Sequence, residues 1–308
     1  MISASGLTNI GGTRNRENQD AFHIGPRRFC VLDGHGKQGK RVAEAARDCF
    51  AASAEGRSFE DMFAEAEGVV RSLFPPENYD APAGGGTTAS VLQIADDGTC
   101  RVGSVGDSEV RVFDDSESDG LTMTADHSAS SLEEFRRIRA AFPDTRFEFA
   151  NPPATLYHRF FDNKPIFIQD ASNEWILDSS GGYTYSTVRQ EWSAYVIGRE
   201  GERLAMTRAL GDFNMKHSGV IATPSEISVG PPAAGITRAI VMASDGLWDA
   251  MQYAEVRDIV RNPVYLGNAE AAAAALMEAA LTAGATHFGT HSDNVAAIVV
   301  YYTAPALA

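Results

Sequence analysis

Five aspartates stand where apolar runs begin or end: Asp33 in "FCVLDGHG" (29–36), Asp245 in "AIVMASDG" (239–246) and Asp107 in "GSVGDSEV" (103–110), with Asp293 in "HSDNVAAIVV" (291–300) and Asp20 in "ENQDAF" (17–22). A carboxylate at the end of a core strand is costly unless something pairs with it. A single Asp-Gly after a strand is usually only a turn. Five such acids, drawn from both halves of the chain, form the pattern of a hard-cation site. Oxygen ligands with no Cys and only incidental His select magnesium or manganese over zinc or copper. Magnesium keeps several waters and accepts few carboxylates, so five acids point to two or more ions. Two ions about 3.5–4 Å apart can activate a water for in-line attack on phosphorus.

Positioning these acids falls to short strands. Runs rich in β-branched and aromatic residues predict strands over Arg28–Leu32, Thr87–Ile94, Cys100–Val105, Glu109–Phe113, Ala239–Ala243 and Val295–Tyr302. Helical spacing predicts helices over Gln38–Ser53, Phe59–Phe74, Leu132–Ala141, Ala254–Val260 and Ala269–Ala283. Ser131 with Glu134 reads as a capping box, and Asn268 and Gly284 as the caps of the last helix. The order implies an α+β chain of mostly antiparallel sheets flanked by helices. Residues 128–198 differ in kind. Rich in aromatics, Asn, Pro and Gly, they read as an inserted surface subdomain with small strands at Pro165–Gln169 and Trp175–Leu177, because a disordered linker would not carry so many large aromatics.

Composition narrows the function. The 308 residues are 44% hydrophobic and 22% charged, within the globular range. A net charge of −15 argues against a nucleic-acid backbone as partner. No apolar run approaches the roughly 20 residues that cross a bilayer, and the first residues lack a signal-peptide core. Three cysteines, Cys30, Cys49 and Cys100, have neither zinc-site nor disulfide spacing. A reducing compartment is expected, the cytoplasm by default with the nucleus open.

In order along the chain stand "RENQDAF", "VLDGHG", "GGTTAS", "VGSVGDSEVRVF", "TADHS", "LAMTRALGDF", "ASDGLWDAM" and "SDNVAAIVV". Together, from Arg16 to Val300, they resemble the metal-dependent protein phosphatases of type 2C, which act on phosphoserine and phosphothreonine. The resemblance implies a four-layer α-β-β-α sandwich with two central antiparallel sheets, one catalytic domain over 1–308 and an enlarged flap over 128–198. It implies Mg2+ or Mn2+, two or three ions per site: Asp33 bridging two, with the Gly34 carbonyl; Asp245 and Asp293 completing the first; Asp20 holding waters on the second; Asp107, with Asp245, supporting a third. It gives His35 as the acid that protonates the leaving oxygen, an imidazole being able to donate near neutrality. It implies direct attack by a metal-bridging water, phosphorylated proteins as partners in signalling, no nucleic acid or membrane, and a monomer. Asp126, Asp249 and the "RALGDF" stretch read as structural, Gly84–Gly86 as packing residues, and Asn294 as fixing a strand start.

Departures from the family pattern are specific. Its phosphate-gripping Arg falls at Asn15, flanked by Arg14 and Arg16, either of which could swing in on a long stem. The acid that often precedes Asp20 is Gln19. The flap is long and carries Tyr157, Phe160, Phe161, Trp175, Tyr183, Tyr185 and Trp192, either as a selecting lid or as a small core of its own; Arg199 matches an Arg at the family's flap end. Two rival readings remain: an inactive pseudophosphatase that binds partners, and a phosphohydrolase of small metabolites. The acidic surface suits basic peptides better than polyanionic metabolites.

Overall fold

The computed structural model describes residues 1–75, 84–114, 119–150, 166–178 and 193–304. Its strands and helices run in the order β1 Ile2–Asn9, β2 Asp20–Ile24, β3 Arg28–His35, α1 Gly39–Ala52, α2 Phe59–Ser72, β4 Gly86–Thr87, β5 Ala89–Ile94, β6 Cys100–Val105, β7 Glu109–Phe113, β8 Leu121–Thr122 and α3 Leu132–Ala141. There follow β9 Arg146–Ala150, β10 Phe167–Gln169, β11 Trp175–Leu177, β12 Ser193–Ile197, β13 Arg203–Leu204, β14 Leu210–Gly211, β15 Ser225–Val229, β16 Thr237–Ala243, α4 Asp245–Trp248, α5 Tyr253–Val260, α6 Ala269–Phe288 and β17 Val295–Thr303. One sheet has the order β1-β17-β16-β7-β8. A second large sheet runs β14-β4-β3-β5-β6-β15, with β2 also paired to β3, and two small sheets, β10-β11 and β13-β12-β9, stand apart from these. Pairing within both large sheets is antiparallel.

Alternation along β3 explains the layering. Phe29 and Val31 point between the sheets, against Val110, Ile240, Met242 and Ile298. Cys30 and Leu32 point outward, against Val42 and Phe50 of α1 and Phe63 of α2. All four β3 residues are fully buried. The far face of the other sheet packs Val241 and Val299 against Leu247, Leu276 and Met277 of α4 and α6. The result is four layers, helix, sheet, sheet, helix, as the strand and helix order implies. A fourth apolar cluster joins Phe135 of α3 to Phe149, Phe167, Val196, Leu204 and Met215, drawing on residues inside 128–198 and beyond it.

Local expectations are corrected in several places. β3 runs three residues past Leu32, carrying the edge of its ladder to His35. Asn268 caps α6, its side chain accepting from Ala271 N. Gly284 does not end that helix, which continues to Phe288 with Gly289 as C-cap. Gly284 is instead a packing position, where an added Cβ would lie 3.2 Å from Ser292. Ser131 makes no side-chain capping bond, and the Glu134 side chain, taken by Arg137, Arg208 and Thr207, does not turn back to the helix start. β1 and β15 carry too little apolar alternation to be read locally; β1 exists because its eight residues pair with β17, from Ile2↔Tyr302 to Asn9↔Val295.

Candidate metal centre and active site

Asp20 opens β2 and Asp33 lies directly across from it on β3, so sheet register sets two carboxylates side by side. Ser244, which follows β16, donates from Oγ to Asp20 Oδ2 at 2.7 Å and accepts from Ala296 N. That serine ties the β2 edge of one sheet to β16 and β17 of the other. Asp245 opens α4 one residue later, and Asp293 sits just before β17. Asp107 occupies the turn between β6 and β7, after Gly106 with φ +88°. Asp33 N donates to Thr88 Oγ1, which is hydrogen bonded to Ser108. The five acids thus lie at or near strand ends, Asp33 among the last residues of β3 and Asp245 at the start of α4, and close enough to act on one another electrostatically.

The electrostatics are those of an unbalanced acidic cluster. Burial, then the charges of Asp20, Asp245, Asp293 and Asp107, pushes the Asp33 carboxyl well above its ordinary range. Burial and the charges of Asp293, Asp249 and Asp107 do the same to Asp245. Burial raises Asp20 to about 7, against the opposing bond from Ser244, and it raises Asp107 too. Asp293 is the exposed member. Oδ1 atoms of Asp20, Asp107 and Asp245 are buried without any hydrogen-bond partner. Such atoms are rare and call for a ligand or a proton. Among the described residues no three acids already converge on one point, so the carboxylates neighbour one another without forming a closed cage. Their donor set, all oxygen, suits hard divalent cations. Gly34 has no room for a side chain: an added Cβ would lie 2.5 Å from Gly39 O and 2.7 Å from Gln19 O.

His35 is paired with Asp212, which lies in the "RALGDF" stretch (208–213). Its Nε2 donates to Asp212 Oδ2 at 2.7 Å, 177 residues away, while Nδ1 is buried without a partner. Burial, which lowers the imidazole's proton affinity, is outweighed by the Asp212 carboxylate, so His35 titrates above its ordinary range. Asp212 holds a left-handed backbone, φ 46°, unusual for a residue with a side chain. Such strain persists only where surroundings impose it. Gly86 leaves the space, since a Cβ there would lie 2.2 Å from Asp212 Oδ2, and Asp212 N donates to Gly85 O. The glycine run is thus a packing device, made for this carboxylate. "RALGDF" carried the signal, an acid after Gly in an apolar run, but nothing local names its partner.

The arginines do not join the cluster as expected. Asn15 spends its side chain on backbone, donating to Ile10 O and Ser292 O. Arg14 donates to His291 Nε2 at 2.9 Å. Arg16 is exposed and makes no ion pair or hydrogen bond among the described residues. Gln19 donates to Gly36 O and Glu17. Asn294 accepts from Gln19 N and donates to Ile10 O, fixing the 10–19 segment to β17. Asp126 accepts from Ser128 N in a local turn. Arg199 lies exposed in the turn before β13. Trp175 packs edge-on to Phe135 at 5.0 Å, part of a core; Tyr157, Phe160, Phe161, Tyr183, Tyr185 and Trp192 lie outside the described residues.

Two antiparallel sheets between helix layers, with an aspartate cluster at one edge, define a four-layer sandwich with a candidate centre for hard cations. The family model that matches residues 25–148 and 180–288 is protein phosphatase 2C, and the chain belongs to that family. It is 26% identical over 241 residues to a probable protein phosphatase 2C 51 of Arabidopsis thaliana, covering 74% of this chain and 42% of the relative. The chain therefore spans under half of that relative's length. Its fold is similar to a serine-threonine phosphatase 2C from Toxoplasma gondii, with TM-score 0.65, 18% identity and coverage of 98% and 95%. The catalytic domain of serine threonine protein phosphatase PstP, in complex with two manganese ions, is similar at TM-score 0.58 and 17% identity, covering 97% of each chain.

Proposed function

We propose that this chain is a protein serine/threonine phosphatase, hydrolysing phosphoserine and phosphothreonine with Mg2+ or Mn2+. The observation that carries this reading is the set of buried, unpartnered Oδ1 atoms on Asp20, Asp107 and Asp245 around Asp33. Asp33, the Gly34 carbonyl, Asp245 and Asp293 would hold one ion, Asp20 and Asp33 a second, and Asp107 with Asp245 a third. When bound, such ions neutralise phosphoryl oxygens and activate the attacking water. The protein's own part is to keep Asp33 and Asp20 in register, to let Gly39 and Gln19 pack closely on Gly34 through its missing side chain, and to orient His35. Asp212 is a positioning residue in this reading. By accepting from Nε2 it leaves Nδ1 as the ring atom that passes a proton to the departing seryl or threonyl oxygen. The complete carboxylate set weighs against the pseudophosphatase reading.

Hydrolysis of a phosphothreonine peptide in manganese, in chelator and by Asp245→Asn tests the assignment. Turnover confined to the wild type with metal is expected. Turnover that survives the chelator and the substitution would refute it.

A further inference from the structure

The overall charge points to basic partners, yet the neighbourhood of the carboxylate cluster is lined with unmatched cations. Among the described residues, the Lys and Arg side chains with no ion pair, hydrogen bond or ring contact are Arg16, Lys37, Lys40, Arg41, Arg146 and Arg199. The first four lie on two segments that meet at Gly34. Gly39 packs its backbone on Gly34, and Gln19 Nε2 donates across the same junction to Gly36 O at 2.9 Å. Lys37 therefore follows one contact residue and Lys40 another, with Arg16 three residues before Gln19. Each of the four is exposed.

Scarcity of acids does not explain this, since the chain has 41 Asp and Glu against 26 Lys and Arg. Other surface arginines are matched, Arg27 by Asp96, Arg101 by Glu226 and Arg203 by Glu148, and the two further unmatched ones, Arg146 and Arg199, stand singly rather than in a group. Lys40 and Arg41 also occupy the first turn of α1, which contains no acid and whose N-cap Gln38 makes no side-chain bond. A cation at that end opposes the helix dipole, so folding alone would favour Asp or Glu there. Local rules broken without a stabilising return mark functional positions. Apart from the aspartates of the cluster, the acids near in sequence are Glu17, which accepts from Gln19, and Glu44, one turn along α1; none of these, cluster included, makes an ion pair with the four cations.

We propose that Arg16, Lys37, Lys40 and Arg41 form a subsite for Asp and Glu side chains flanking the phosphorylated residue, so that the preferred substrates are acidic phosphorylated segments. This rests on the phosphatase reading for the position next to it. The test is equilibrium binding, by fluorescence anisotropy in manganese, of labelled peptides carrying a non-hydrolysable phosphonate mimic of phosphothreonine. One peptide has glutamates on both sides and the other has lysines. The glutamate peptide should bind about tenfold or more tightly at low salt, the gap closing at about 500 mM as charges are screened. Lys37→Glu/Lys40→Glu should abolish or invert that order, and Lys37→Gln/Lys40→Gln should weaken it. The new acids suit the start of α1, and circular dichroism checks the fold. Equal binding of both peptides, or the same preference in the glutamate variant, would overturn the subsite. Cleavage of the corresponding phosphothreonine peptides is scored separately. Glutamate preference without cleavage removes the phosphatase reading alone, and cleavage without preference removes the subsite alone.

Discussion

At Asp33 the cost of withdrawing a carboxylate from water is compounded by four neighbours of the same sign. Asp33→Asn keeps the shape and removes the charge. In chelator the variant should melt at a higher temperature than the wild type, and manganese should no longer raise it. A variant less stable in chelator would contradict the repulsion argument. Asp20 gives a pH signature. Unfolded it loses its proton near 3.8, and folded near 7, so between those values the folded state holds the extra proton and stability falls as pH rises. A divalent cation replaces that proton, so manganese affinity measured by calorimetry should fall from pH 8 to pH 6 with proton release. Asp20→Asn should flatten the dependence. For Asp212→Asn, turnover of a phosphothreonine peptide should drop about 10²-fold, with a far smaller loss on 4-nitrophenyl phosphate, whose leaving group needs little protonation. Equal losses on both substrates would leave Asp212 a merely structural residue.

On the scale of single elements, α1 is held to the site by backbone. Gly34→Ala would push its Cβ into Gly39 O, Gly39 C and Gln19 O, none of which is a flexible side-chain end. Lower thermal stability together with weaker manganese binding is expected, and unchanged metal affinity would show that α1 can shift without disturbing the acids. α3 is anchored by Glu134, 2% exposed, rather than by a cap. Its burial, which would raise the carboxyl, is overcome by bonds from Arg208, Arg137 and Thr207, bringing it to about 2 from 4.5. A depressed carboxyl contributes stability above its unfolded value and loses it as pH falls through the folded one. About 3 kcal/mol should therefore disappear between pH 4.5 and 2. Urea titrations of wild type and Glu134→Gln across that range read the difference, while Ser131→Ala should be nearly silent.

Across the molecule, the inter-sheet layer carries the stability. Phe29 is fully buried between the sheets, and Phe29→Ala should cost about 3–5 kcal/mol in urea unfolding. A loss under about 1 kcal/mol would mean that the two sheets close over the cavity. The −15 net charge describes the whole chain, whereas a ligand at the carboxylate cluster would meet the field of one edge, where Arg16, Lys37, Lys40 and Arg41 lie close to Asp20 or Asp33 in sequence.

Most of the layered fold was legible locally. Apolar alternation and helical spacing are short-range patterns, and β6, β7, α3 and β11 match their expected bounds residue for residue. The aspartates were legible too, because an acid closing an apolar run is anomalous wherever it occurs. What pairs with what was not. Asp212 meets His35 across 177 residues, Glu134 abandons its local cap for arginines on other segments, and Asn15 is spent on carbonyls of Ile10 and Ser292. Periodicity encodes which face a residue turns to the core, but a hydrogen bond or an unmatched charge depends on which distant segment arrives beside it, and only the packed layers decide that.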